Sequence, residues 1–129
     1  MALPLGHLDT LLSAKFNQAL PHIEAALHNS GDTHKPLHVW TMIQTKLAEL
    51  HTSKNAAVVT QILNTPTGDQ LHYWLAGGDL QELQELERQI TKKAKKRGIK
   101  RVSLIGRAGW VKALDGYRDA GRILTKELT

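Results

Sequence analysis

A chain of 129 residues with 41 % hydrophobic side chains holds enough apolar material for one packed domain, which excludes wholesale disorder. It has no cysteine, so disulfides and thiolate metal sites are excluded too. The net charge of +5 is uneven: residues 1–91 carry 5 basic and 9 acidic side chains, while residues 92–101 carry 7 basic and none acidic. No apolar run approaches the roughly 18 residues of a membrane span, so no membrane partner is expected. Residues 1–7 lack a basic region followed by a long apolar run, which predicts no signal peptide.

Residues 8–20 predict a helix, because Leu8, Leu11, Leu12 and Phe16 recur at helical spacing. Leu20-Pro21 interrupts it. Pro21 suits the first turn of a second helix over residues 21–28, with Ile23, Ala26 and Leu27 on its apolar side. Residues 29–32 form a loop. A third helix starts near Pro36 and buries Leu37, Trp40 and Ile43. Residues 1–45 are thus an N-terminal helical segment packing on a core made of residues 46–129.

From Lys46 the pattern turns to alternation, with Leu47, Glu49 and His51 opposed to Ala48 and Leu50, so residues 46–51 predict a short strand. Ser53-Lys54-Asn55 is a turn. Val58, Val59, Thr60 and Ile62 mark a strand over residues 56–63. The polar loop 64–69 reverses the chain, so a strand over residues 70–76 pairs antiparallel with it. Gly77-Gly78 is a turn into a long helix over residues 80–97. Asp79 is its N-cap, and Glu82 three residues on makes a capping-box pattern. Leu80, Leu83, Leu86 or Glu87, Ile90 and Ala94 follow one face. Acids early and bases late complement the helix dipole, by about 0.3–1 kcal/mol per well-placed charge. Gly98 ends the helix, and a strand over residues 101–105 should lie parallel to the strand at 70–76 through a right-handed crossover. A short helix over residues 107–114 and a last strand over residues 122–128 close the chain. The class is α+β: a mixed, mostly antiparallel sheet flanked by helices.

The sharpest surface feature is the cluster Lys92, Lys93, Lys95, Lys96, Arg97, Lys100 and Arg101. It suits phosphates, an acidic partner protein, or plain solvation of a helix end. No aromatic residue is interleaved, so it is no stacking platform for bases. His34 and His38 have i,i+4 spacing but no adjacent Glu, and no metal site is expected. Glu49 or His51 is a candidate general base for an amine; the plainer reading is an outward polar residue on a strand. Trp40, Trp74 and Trp110 are expected to be core or interface anchors.

The order of elements over residues 47–128, with Lys-Arg-Gly-Ile-Lys-Arg-Val-Ser-Leu at 96–104, resembles the GNAT superfamily of acetyl-CoA-dependent N-acetyltransferases. The wording is also similar to that of small tailed-bacteriophage structural or morphogenetic proteins. The pieces are Ala-Val-Val-Thr-Gln-Ile (57–62), Leu-Ala-Gly-Gly-Asp-Leu (75–80), Gly-Arg-Ala-Gly-Trp (106–110), Gly-Tyr (116–117) and Leu-Thr-Lys-Glu-Leu (124–128). The resemblance implies a GNAT-like fold and, for an enzyme, acetyl-CoA held by its pyrophosphate along Ala76, Gly77, Gly78, Asp79 and Leu80. The superfamily's Gln/Arg-x-x-Gly-x-Gly/Ala pattern is not met here, and Asp79 stands where the anion would sit. The superfamily's tyrosine acid falls four residues before a Gly-Phe pair. Aligning Gly116-Tyr117 with that pair puts Lys112 at the acid position; aligning Gly121 instead puts Tyr117 there. The first register is preferred, and no catalytic residue is assigned.

The resulting expectation is a non-enzymatic phage virion or assembly protein with a degenerate acetyltransferase-like fold and no cofactor. It would dock to other virion proteins within a homo- or hetero-oligomeric assembly, in the virion or in the host cytoplasm. The alternative is an active acetyl-CoA-dependent N-acetyltransferase of a phage. A third reading is a DNA-contacting accessory protein using the basic helix end.

Overall fold

The computed structural model describes residues 10–105, 113–121 and 124–128. Two helices, α1 (Thr10–Asn29) and α2 (Pro36–Gln44), precede three strands, β1 (Glu49–Ser53), β2 (Ala56–Thr65) and β3 (Gly68–Gly78). Helix α3 (Leu80–Lys96) and strand β4 (Arg101–Leu104) follow. The four strands form one sheet in the order β1-β2-β3-β4. The first two pairings are antiparallel and β3–β4 is parallel, as a strand-helix-strand crossover requires. The fold class is therefore α+β with a mixed, mostly antiparallel sheet.

The sheet lies between two helical layers. On one face, Phe16, Ile23 and Leu27 of α1 and Val39, Trp40 and Ile43 of α2 pack against Ala57, Val59 and Leu75. On the other, Leu83, Leu86, Ile90 and Ala94 of α3 pack against Ala56, Val58, Leu71 and Tyr73. Period-two alternation sends neighbouring residues of β2 into opposite layers, so Ala56 to Thr60 are all buried. The N-terminal helices share their core with the sheet.

Several sequence expectations are corrected. Residues 10–29 form one helix with Pro21 inside it, not two helices. A proline within a helix costs about 3 kcal/mol. Phe16, Ala19, Ile23, Ala26 and Leu27 form one continuous buried face across that position. Burying a large apolar side chain returns about 1.5–3 kcal/mol, so the face outweighs the defect. Leu11 is 79 % exposed and Leu37 is 52 % exposed, whereas Val39 is buried. Strand β1 begins at Glu49, because Lys46 takes a left-handed φ of 64° that no strand accommodates. The β2–β3 hairpin is tighter than expected, with pairing out to Thr65↔Gly68. Residues 77 and 78 belong to β3 and pair with Ala57 and Ala56. Residues 124–128 form no strand, and Leu124 and Leu128 are exposed. Most of the expected short helix, with Arg107, Trp110 and Lys112, lies outside the described residues, as do Leu8 and residues 122–123.

Candidate functional site

The parallel pair β3–β4 is where the fold opens. Its register runs from Gln70↔Arg101 to Tyr73↔Leu104 and stops there. At the same level the β2–β3 register shifts: Val59 faces Leu75 while Thr60 faces Tyr73, so Trp74 is an extra, bulged residue on β3. A bulge twists and bends its strand. The half of β3 beyond it continues to Gly78 without β4 beside it and leads into the N-terminus of α3.

That N-terminus is closed by the chain's own groups. Asp79 is the N-cap, with φ −65° and ψ 130°, and its carboxylate accepts from the Glu82 N–H at 3.0 Å. The Asp79 N–H donates to the Asn55 carbonyl at 2.8 Å. The expected capping box is only half formed. The Glu82 carboxylate turns instead to the β1–β2 turn, where it accepts from Ser53 Oγ at 2.6 Å and the Asn55 N–H at 2.7 Å. These bonds hold the Glu82 carboxyl below the usual carboxylate range. Two acidic side chains thus occupy the first turn of α3, and the 53–55 turn is tied onto it.

The glycines here serve close packing. A Cβ on Gly77 would lie 2.6 Å from the His22 carbonyl oxygen. Gly78 has φ +114°, and a Cβ on it would meet Ala56 Cα at 2.6 Å and the Asn55 carbonyl. Of the five positions Ala76, Gly77, Gly78, Asp79 and Leu80, the first three are strand residues: Ala76 packs on the α3 side, Gly77 lies against α1 and Gly78 against the 53–55 turn; Asp79 is the cap, and Leu80 is 51 % exposed.

Tyr117 is brought to the middle of α3. Its hydroxyl donates to Glu87 Oε2 at 3.0 Å, and Thr91 Oγ1 donates to the same oxygen at 2.7 Å. Thr91 also meets the Tyr73 hydroxyl at 3.0 Å. Burial first, then the neighbouring Tyr73 and Glu87, pushes the Tyr117 phenol well above its ordinary 10.0. Burial also pushes Tyr73 up to about 12. A phenol held so firmly in its protonated form beside a carboxylate is a tether for residues 113–121. Gln84 Nε2 supports the same segment through the Ala113 carbonyl at 2.8 Å.

Glu49 and His51 stand on β1 facing α3, in a 220 Å³ recess with Thr60, Lys93 and Arg97. His51 Nε2 lies 3.0 Å from the buried Thr60 hydroxyl. Burial lowers the His51 pKa, with Glu49 opposing and Lys93 reinforcing the shift. Arg97 approaches Glu49 at 4.0 Å. His34 and His38 do not converge on a common point: their rings meet edge-on at 6.1 Å, and His34 also meets Trp74 edge-on at 4.9 Å. His38 Nδ1 accepts the Lys35 N–H. Among the described residues no group of three His, Asp or Glu side chains is placed to hold a metal. Lys92, Lys93, Lys95, Lys96, Arg97, Lys100 and Arg101 are all exposed around the C-terminal end of α3 and the start of β4.

One cluster was not legible in the sequence. Ser103 Oγ on β4 accepts from Gln70 Nε2 at 2.7 Å and lies 2.9 Å from His72 Nδ1. Only the parallel register, which pairs His72 with Ser103, reveals it. The third member is an amide, which supplies no charge to support the imidazole as a base, so the cluster reads as a cross-strand link.

This bulged sheet opening onto a helix N-terminus is the acetyltransferase-type, or GNAT, fold. Among the solved structures that carry the likeness are the following three. A predicted acetyltransferase with acetyl-CoA from Clostridium acetobutylicum is 10 % identical with a TM-score of 0.60, covering 87 % of this chain and 91 % of that one. An acetyltransferase of Trypanosoma brucei is 13 % identical with a TM-score of 0.62, covering 88 % and 94 %. A tetramutant of a Bacillus halodurans protein is 15 % identical with a TM-score of 0.62, covering 94 % and 95 %. No protein-family model and no curated protein matches the sequence. At these identities the likeness is one of fold.

Proposed function

We propose that this chain is a GNAT-fold protein that does not bind acetyl-CoA and works by docking to other proteins. The observation that carries this reading is the acidic, closed N-terminus of α3. A helix start recruits a pyrophosphate through free N–H groups and partial positive charge. Here Asp79 takes one of those donors itself. Displacing a carboxylate cap costs about 1 kcal/mol. A unit negative charge about 5 Å from a phosphate adds about 1–3 kcal/mol of repulsion at effective dielectric constants between those of a protein surface and water. Asp79 alone therefore weakens such binding by roughly 1.5 to 3 decades. Glu82 contributes charge of the same sign.

The partners we propose are virion proteins, met in the virion or in the host cytoplasm during assembly, within a larger homo- or hetero-oligomeric complex. What supports that setting is the phage-like wording of residues 57–62, 75–80, 106–110, 116–117 and 124–128. None of the three solved neighbours is described as a virion protein.

A second reading is favoured by a different observation. The opening of β3 away from β4 after Tyr73 and Leu104 leaves backbone donors and acceptors of residues 74–78 free of that neighbour. An acetyl-CoA-dependent N-acetyltransferase would lay its cofactor along residues 76–80, and an amine would attack the thioester directly. Calorimetric titration with acetyl-CoA separates the two. Docking predicts no saturable heat; one-to-one binding at micromolar affinity would replace it with the enzyme reading.

A further inference from the structure

The C-terminal end of α3 and the start of β4 enclose an open groove of about 450 Å³. Its base is apolar, made by buried Ala94 with half-buried Ile99 and Val102. Exposed Lys95, Lys100 and Arg101 also line it. Among the described residues none of these three cations has a carboxylate within 4.0 Å. Gly98, with φ +82° and nothing within 4 Å of where a Cβ would be, leaves that wall low.

From this we infer that the groove is the docking site for an acidic protein segment carrying one apolar anchor side chain. This deepens the docking reading and rests on it. The charge argument fixes the sign of the partner: three unpaired cations at one small site attract carboxylates. The apolar base fixes its kind. A phosphate backbone gains nothing from Ile99 and Val102, and among the described residues no aromatic side chain lines the groove to stack a base. A leucine- or phenylalanine-sized side chain, flanked by Asp or Glu, satisfies both halves. The apolar contact supplies affinity and the charges supply encounter rate and orientation.

The test is fluorescence anisotropy with three labelled probes on the full chain. They are a short Asp/Glu-rich peptide with one central Leu, the same peptide with that Leu replaced by Ala, and a short DNA duplex. The Leu peptide is expected to bind saturably, with the Ala peptide weaker by about tenfold, the ratio that half-burying one such side chain gives. The triple variant Lys95→Glu, Lys100→Glu, Arg101→Glu changes only exposed side chains. It should abolish binding while leaving the circular dichroism spectrum unchanged. Lys92→Glu with Lys96→Glu, exposed cations that do not line the groove, should weaken the peptide by no more than about threefold, as surface charges acting at a distance do. Equal losses in both variants would mean a diffuse field and overturn the groove. So would indifference to the Leu, or duplex DNA bound more tightly than the peptide. Parallel titration with acetyl-CoA keeps the two readings separable: heat there sinks the docking function, whereas a silent titration with no peptide binding sinks only the groove.

Discussion

Single side chains set the acid sensitivity of this protein. Burial holds both His51 and His72 below the ordinary imidazole value of 6.5. Between those lowered values and 6.5 the unfolded chain binds more protons than the folded one. Stability is therefore full above pH 6.5 and falls as pH drops below it, by at most about 1.4 kcal/mol per pH unit for each histidine inside its window. Glu82 acts lower on the scale: its depressed pKa contributes stability above the ordinary 4.5 that is lost as pH falls through the folded value. Urea unfolding from about pH 7.5 to about pH 5 should show a downward slope, and His51→Gln should flatten it. An unchanged slope in that variant would remove His51 from the account. The sequence identified His51 by its place on an alternating strand. It did not show that Thr60 was the partner, because that contact depends on the β1–β2 register, which sets His51 opposite Val58 and one diagonal step from Thr60.

Among the elements, the junction of β3 and α3 is the most constrained by packing. Gly78→Ala places a side chain at φ +114° against the backbone of Asn55 and Ala56, so it should cost about 1–3 kcal/mol or more of stability. Gly98→Ala faces open space at φ +82° and should cost only the left-handed penalty of about 1–2 kcal/mol. Denaturant midpoints of the two variants check the ordering; equal shifts would contradict the packing described for Gly78. A bulky residue at Gly78 therefore disrupts the turn whether or not a cofactor binds, and so says nothing about activity. Elements with strong local patterns were legible in the sequence: α3, with its cap and Gly98, and the β2–β3 hairpin. Pro21 misled because a local breaker was outweighed by a buried face shared with the sheet. The strand expected over residues 122–128 failed in its described part: Leu124 and Leu128 are exposed and no ladder pairs residues 124–128.

For the whole molecule, charge is sorted to opposite ends of one helix. The start of α3, beside the sheet opening, carries Asp79 and Glu82; its far end and cap carry Lys92, Lys93, Lys95, Lys96 and Arg97, with Lys100 and Arg101 following at the start of β4. Both ends were visible as composition. The Asp79 cap was also expected, but the role of Glu82 in tying the 53–55 turn to the helix was not, because that contact spans 27 residues. The groove beside Ile99 and Val102 depends on how α3 sits over β4 and left no signature in the sequence. The fold is shared with acetyltransferases, and the start of α3 is acidic and capped; the proposal these two facts support is that the chain does not bind acetyl-CoA. Calorimetric titration of the purified chain with acetyl-CoA at moderate salt tests that claim most directly. The account predicts no saturable heat and no thermal stabilisation; one-to-one binding at micromolar affinity would contradict it.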